Sequence, residues 1–283
     1  FIRAFLYYWL NKWYGEAPLL TSTDDPLYPE KASIEAIHSF IETELIAAAE
    51  DLPLTQADYG RITKGAALGI LTKFYLNTKQ WQKCASSAKD VMDLNIYELY
   101  PNYIELFGPD NDITSEYIFA FPQTRDVGFG NTWMALSRPP GYPILSNQAN
   151  FAAQLRYYDD FVNTFDLNDD RRKFFLTEYV KTNGDTIQLL GNDNSRSFKY
   201  NDPESNGQDQ GNDVPIIRYA DILLSRAEAL NEMNGPSQEA IDLINMVRNR
   251  ANMGSLDYND FTKESLRDHI LQERSWEFYS ESK

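Results

Sequence analysis

A mainly α-helical chain is predicted, made of paired helices and interrupted by one large irregular insertion with a few short strands. Three observations lead to that reading. The C-terminal part, from Arg218 onward, holds three amphipathic helices in a row, over 218–234, 237–251 and 262–280. Residues 61–94 carry a helical hairpin in which large and small residues recur on facing sides. Between them, 97–217 is rich in Tyr, Pro, Gly, Asn and Asp and reads as one large insertion.

Taken in order, residues 1–14 show apolar side chains around the whole circumference and read as a buried helix ending near Gly15. Within it Tyr7, Tyr8, Trp9, Trp13 and Tyr14 form an aromatic cluster whose spacing favours core packing. A Pro-containing loop runs to about Ala32. Ser33 is a good N-cap for a helix from Ile34 to about Asp51, striped by Ile37, Leu45 and Ala48 and stopped at Leu52-Pro53. In the hairpin, Leu68, Leu71 and Tyr75 recur on the first helix, and Trp81, Cys84, Ala88 and Val91 on the second. That is the spacing of a tetratricopeptide repeat. Thr72 stands where the repeat prefers a smaller residue. A second hairpin over 218–251 fits at Leu224, Ala227, Ala240, Ile244 and Val247, with Asn231 where Tyr is usual.

The middle is expected to hold short strands at Glu116–Phe121 and Asp185–Leu190, a helix over Phe151–Phe165, and a polar loop over 191–213. The chain thus divides into an N-terminal scaffold, 1–96, a ligand-facing insertion, 97–217, and C-terminal helices of the same scaffold, 218–283. Loops on a rigid helical frame are where recognition concentrates. In the last helices Asp221, Glu228, Arg248, Arg250, Glu273 and Arg274 are expected to form structural ion pairs or caps.

With 42% hydrophobic and 14% aromatic residues over 283 positions, the chain can bury a sizeable core. A formal net charge of −16 disfavours nucleic acid and anionic lipid as partners and leaves neutral sugars unpenalised. One cysteine, Cys84, allows no internal disulfide and reads as a small core residue. No run is long and apolar enough to span a bilayer. Phe1 lies inside a helical pattern and Glu273–Lys283 stops without a C-cap, so both ends are expected to belong to a longer chain.

Catalytic signatures are missing. His38 and His269 each sit alone on a helix, and Gly128-Phe129-Gly130 lacks the third glycine and the helix of a dinucleotide fingerprint. Asp166–Asp170 begins like a calcium loop, but Arg171 replaces the turn glycine and Thr177 the closing Glu. It reads as an acidic turn with neighbouring cations. No cofactor or metal is expected. The 42 acidic residues leave room for a glycosidase carboxylate pair, although no local motif marks one.

The segment Gly128–Asn150 combines Trp133 and Tyr142 with Asn131, Arg138, Asn147 and Gln148, braced by prolines. Aromatic faces stack on the C–H face of a sugar, and amides and guanidinium groups bond its hydroxyls. These six are the candidate ligand-binding residues. Taken singly, Trp133 and Tyr142 fit better the commoner role of an aromatic, as anchors of the loop on the core.

The stretches "RYADILLSRAEALNE", "EAIDLINMVRNRA" and "ILQERSWEF" resemble the C-terminal signature of the SusD/RagB family, surface glycan-binding lipoproteins of Bacteroidetes. "FIRAFLYYWLNKWYGEAPLL", with its Gly15-Glu16-Ala17-Pro18 turn, is similar to the family's early helix. The Lys64-Gly65-Ala66-Ala67 hairpin is similar to its first marked repeat. Departures are Ser282 for the glycine of a common E-G-K-R, and the lack of a lipoprotein cysteine. The resemblance implies a right-handed superhelix of tetratricopeptide-like pairs with a large insertion. It also implies non-catalytic capture of oligosaccharide or polysaccharide at the outer-membrane surface, an N-terminal lipid anchor outside this segment, and delivery to a SusC-like TonB-dependent transporter. Two alternatives stay open. A peptide-binding tetratricopeptide scaffold would carry tandem repeats with a basic, Asn-lined groove; a glycoside hydrolase would release reducing ends.

Overall fold

The computed structural model describes residues 1–152 and 155–281. The chain runs through helix α1 (Ile2–Tyr14), a ribbon of β1 (Ala17–Pro18) and β2 (Lys31–Ala32), and helices α2 (Ile34–Asp51), α3 (Lys64–Asn77) and α4 (Trp81–Asp93). Short elements follow: α5 (Tyr103–Leu106), β3 (Tyr117–Phe121), α6 (Trp133–Ser137), α7 (Asp159–Val162), a 3-10 turn over Asp170–Phe174, β4 (Phe175–Leu176), β5 (Glu178–Val180), β6 (Thr186–Gln188) and β7 (Arg196–Ser197). Strand β8 (Val214–Arg218) leads into α8 (Tyr219–Asn234), α9 (Gln238–Arg250) and α10 (Lys263–Phe278). The strands pair antiparallel in twos: β1 with β2, β3 with β8, β4 with β7 and β5 with β6.

The helix starts are set by local chemistry. Ser33 Oγ accepts the Ala36 N–H at 3.2 Å, Thr63 Oγ1 that of Ala66 at 3.3 Å, and Ser237 Oγ that of Ala240 at 3.3 Å. Each bond satisfies an N–H that the helix itself leaves open. Helix α3 is buried on every side from Gly65 to Leu76, because α2 and α4 flank it while α8 and β3 close it. Helix α4 lies on α8, which brings the two hairpins together despite the long insertion between them. The two residues that depart from the repeat pattern have partners. Thr72 Oγ1 bonds Leu68 O at 2.9 Å and Ser87 Oγ at 3.0 Å, and Asn231 Nδ2 ties α8 to Lys263 O at the start of α10. Burial pushes the Cys84 thiol up to about 12, which suits a packing role.

Two expectations change. Helix α1 is buried only along Ala4, Phe5 and Tyr8, which pack on α2 and Phe119. Trp13 (66%) and Tyr14 (76%) are exposed, so the aromatic cluster is core at Tyr8 and surface at its C-terminal end. The helix expected over Phe151–Phe165 is reduced to α7; its Ala153 and Gln154 lie outside the described residues. The preceding backbone is drawn out instead by tertiary bonds, from Phe151 N to Ala135 O, Leu155 N to Leu136 O and Tyr157 N to Ser195 O. Helical spacing there lost to neighbours that the local sequence does not contain.

The insertion carries a second aromatic core, with Tyr103, Phe107, Phe165, Phe174, Phe175 and Tyr200 among its buried members, and Tyr279 from the C-terminal segment completes it. It meets the helical scaffold at a dry ion network. Five cations, Arg171, Lys199, Arg218, Arg248 and Arg250, face five carboxylates, Glu116, Asp169, Glu273, Glu277 and Glu281. Glu277 stands at its centre. It takes Arg218 at 2.9 Å, Arg171 at 3.4 Å, and Arg250. Equal numbers of opposite charges are what allow so many ions to be buried. Three of the six charged residues singled out in the C-terminal helices join this network, Arg248, Arg250 and Glu273; the other three pair among themselves, Arg274 lying 2.9 Å from Asp221 and 3.8 Å from Glu228.

Candidate functional site

Three structural devices hold the segment between β3 and α7. The first is a glycine cradle. Asp209 Oδ1 accepts the N–H groups of Gly128 (3.1 Å) and Gly130 (3.2 Å), and Gly128 has the positive φ, 86°, that such a turn needs. A Cβ on Gly130 would lie 2.5 Å from the Asp209 backbone. The second is a bridge between Asn131 and Gln210, whose backbones exchange bonds of 2.9 and 3.1 Å. The third is the carbonyl of Ser197, which receives Trp133 Nε1 at 3.1 Å and Ser137 Oγ at 2.9 Å. Gly130→Ala is therefore expected to lower stability by about 1–3 kcal/mol, the usual cost of overpacking a close contact. Urea denaturation measures it, and an unchanged midpoint would show that the cradle does not hold the loop.

The six sequence candidates separate on this framework. Asn131 is buried; its amide donates to Asn212 O at 3.3 Å and accepts the Trp133 N–H at 2.8 Å. Trp133 packs edge-on against Tyr200 at 6.0 Å, with its indole N–H spent on Ser197. Arg138 is buried and donates to Ala149 O at 2.9 Å. Gln148 donates to Pro203 O at 2.8 Å and accepts the Leu145 N–H at 3.2 Å. These four spend polar groups on bonds within the chain and shape the loop. Asn147 donates to Ser205 O at 2.9 Å from an exposed position. Tyr142 is half-buried, its ring 5.2 Å from Phe198 and 5.7 Å from Tyr179. Burial raises its hydroxyl's pKa and the nearby Arg138 opposes that shift.

Tyr142 and Phe198, both half-buried, therefore make a small aromatic surface in the insertion, backed by the buried Tyr179, which donates to Pro140 O at 2.7 Å. Sequence reading missed Tyr179 and Phe198. Phe198 lies in a stretch whose composition reads as polar loop, but Phe198 N bonds Phe174 O at 2.8 Å and extends the β4–β7 pairing. The Ser-Arg-Ser-Phe alternation at 195–198 was the available signal.

The acidic turn at 166–170 holds cations of the chain itself: Asp169 pairs with Arg171 at 2.7 Å and Asp170 with Lys173 at 2.5 Å. His38 shares a 2.9 Å bond with Asn11. A different carboxyl stands out. Asp112 is raised to about 7, first by burial and then by Asp213, itself bonded to the Tyr59 hydroxyl.

Family comparison agrees with this architecture. The model described as "SusD family" matches residues 77–283, and the one described as "Starch-binding associating with outer membrane" matches residues 1–76. SusD-like protein P25 of Formosa agariphila is 27% identical over 99% of this chain and 60% of its own length. Starch-binding protein SusD of Bacteroides thetaiotaomicron is 25% identical over 89% of this chain and 57% of its own. The chain thus spans about 60% of the length of the curated relatives it matches. A SusD superfamily protein from Parabacteroides distasonis superposes with a TM-score of 0.86 at 21% identity, covering 99% of this chain and 64% of that one, which shows the shared fold.

Proposed function

Because the chain belongs to the SusD family, we propose that it captures oligosaccharide at the outer-membrane surface without cleaving it and passes the glycan to a SusC-like TonB-dependent transporter. Membrane attachment would come from a lipid anchor outside this segment. The observation that carries the binding role is the half-buried Tyr142 ring between Tyr179 and Phe198, with the exposed Asn147 on the same loop. A flat ring backed by two others stays rigid, so a sugar face docks on it with little ordering cost. Asn147 would read hydroxyls at the rim, while Trp133, Asn131, Arg138 and Gln148 hold the loop in shape. The relatives' descriptions as starch-binding and outer-membrane-associating support the ligand class and the location.

Absence of turnover is supported by the state of the buried carboxylates: those of the central network are matched by arginine or lysine, and Asp202 is clamped by Arg125 at 2.8 Å. One observation favours hydrolysis, the Asp112–Asp213 pair, because a carboxyl held near neutral pH beside a second one is the arrangement of a general acid. The two readings part in one experiment. Screening on a glycan array, followed by long incubation with the tightest binder, is expected to give retained ligand and no new reducing ends. Steady release that Asp112→Asn abolishes would establish the hydrolase instead.

A further inference from the structure

Among the described residues, three arginines are fully buried: Arg171, Arg196 and Arg218. Two of them lie among carboxylates, Arg171 with Asp169 and Glu273, and Arg218 with Glu116, Glu277 and Glu281. Arg196 does not. It is 1% exposed, yet its Nε and Nη1 have no acceptor among the described residues. The Tyr157 N–H bonds Ser195 O at 2.8 Å and so brings the exposed Arg156 beside Arg196; burial lowers the proton affinity of the Arg196 guanidinium and Arg156 lowers it further. Placing two cations together without a counter-charge is unfavourable, and doubly odd in a chain of net charge −16. Arg196 on strand β7 precedes Phe198 by two residues, and the pairing continues through the Phe198 N–H to Phe174 O at 2.8 Å, so the two side chains leave the same face. That face carries Tyr142 and Tyr179, and Tyr179 is near enough to Arg196 for their charges to interact.

We propose that Arg196 and Arg156 form an anion subsite beside the Tyr142–Tyr179–Phe198 surface, and that the captured glycan is acidic, bearing a carboxylate or a sulfate. The proposal rests on the glycan-capture reading and deepens it. Sugar ring and acidic group would be recognised side by side, the ring on Tyr142 and the anion between the two guanidinium groups. An oxyanion there supplies the missing acceptors and cancels the repulsion, so a residue that costs stability in the free protein is useful in the complex.

The test titrates the protein calorimetrically with an oligogalacturonide, a sulfated carrageenan oligosaccharide and neutral maltoheptaose. At least one acidic probe is expected to bind about tenfold or more tighter than maltoheptaose, the difference that one charge-assisted contact supplies. Which acidic probe wins tells carboxylate from sulfate. Arg156→Gln and Arg196→Met should each remove that advantage, and Arg196→Met should also raise the thermal midpoint of the free protein by about 2 °C or more. Equal binding of neutral and acidic probes, an acidic preference that survives both substitutions, or a lowered midpoint in Arg196→Met would overturn the subsite and leave glycan capture standing. No binding by any glycan would overturn both.

Discussion

Glu277→Ala is expected to cost about 3–5 kcal/mol, the range for removing one member of a buried ion cluster. The size follows from position. The carboxylate holds Arg218, Arg171 and Arg250 at once, so its loss leaves an uncompensated positive charge where water does not reach. Set against a typical folding stability of about 5–15 kcal/mol, such a change threatens the fold itself. The same residue predicts a pH dependence. Burial alone would raise its carboxyl, but Arg250, Arg218 and Arg171 outweigh burial and hold it at about 2, below the ordinary 4.5. A carboxyl depressed by folding stabilises fully above its unfolded value and loses that contribution as the pH falls through the folded one. The wild type should therefore lose about 3 kcal/mol from this group between pH 4.5 and pH 2. Urea denaturation from pH 7 to pH 2 measures both effects. A Glu277→Ala protein within about 0.5 kcal/mol of wild type at pH 7, the scatter of ordinary surface substitutions, would show that the network contributes no net stability.

That network also marks how far the sequence could be read. Helical period locates the hairpin well: the expected 61–94 holds Lys64–Asn77 and Trp81–Asp93. That signal is local, set within a few residues by spacing. Arg248, Arg250 and Glu273 were legible as ion-pairing residues from their helical placement alone. Their partners Glu116 and Arg171 were not, because they come from the insertion, 134 positions away in the Arg250–Glu116 pair. The insertion is irregular for the same reason. Its backbone bonds run between distant segments, as Asn131 does with Gln210, and no period records them. Arg196 illustrates the limit at the site. In sequence it is one cation in a polar stretch, and only its burial without an acceptor sets it apart.

Trp133 and Tyr142 were equivalent in the sequence, two aromatics in one Pro/Gly-braced loop, and the structure gives them different surroundings. Truncating each should separate stability from affinity. Trp133→Ala removes the bond to Ser197 O and the contact with Tyr200. It should cost about 2–3 kcal/mol of stability, somewhat below a full core truncation because the ring is only partly buried. Tyr142→Ala removes no hydrogen bond found among the described residues and leaves Tyr179 and Phe198 in place, so its thermal midpoint should stay near that of wild type. Its glycan affinity should instead fall about thirtyfold, the roughly 2 kcal/mol of a well-packed aromatic anchor. Midpoints come from calorimetry and affinities from titration with the tightest array ligand. A folded Tyr142→Ala protein of unchanged affinity would remove this surface from the site. Parallel loss of midpoint and affinity in both variants would make both aromatics anchors of the loop. The stacking role requires the split, with stability lost at Trp133 and binding lost at Tyr142, because only a side chain outside the loop's own framework can lose its ligand without loosening the loop.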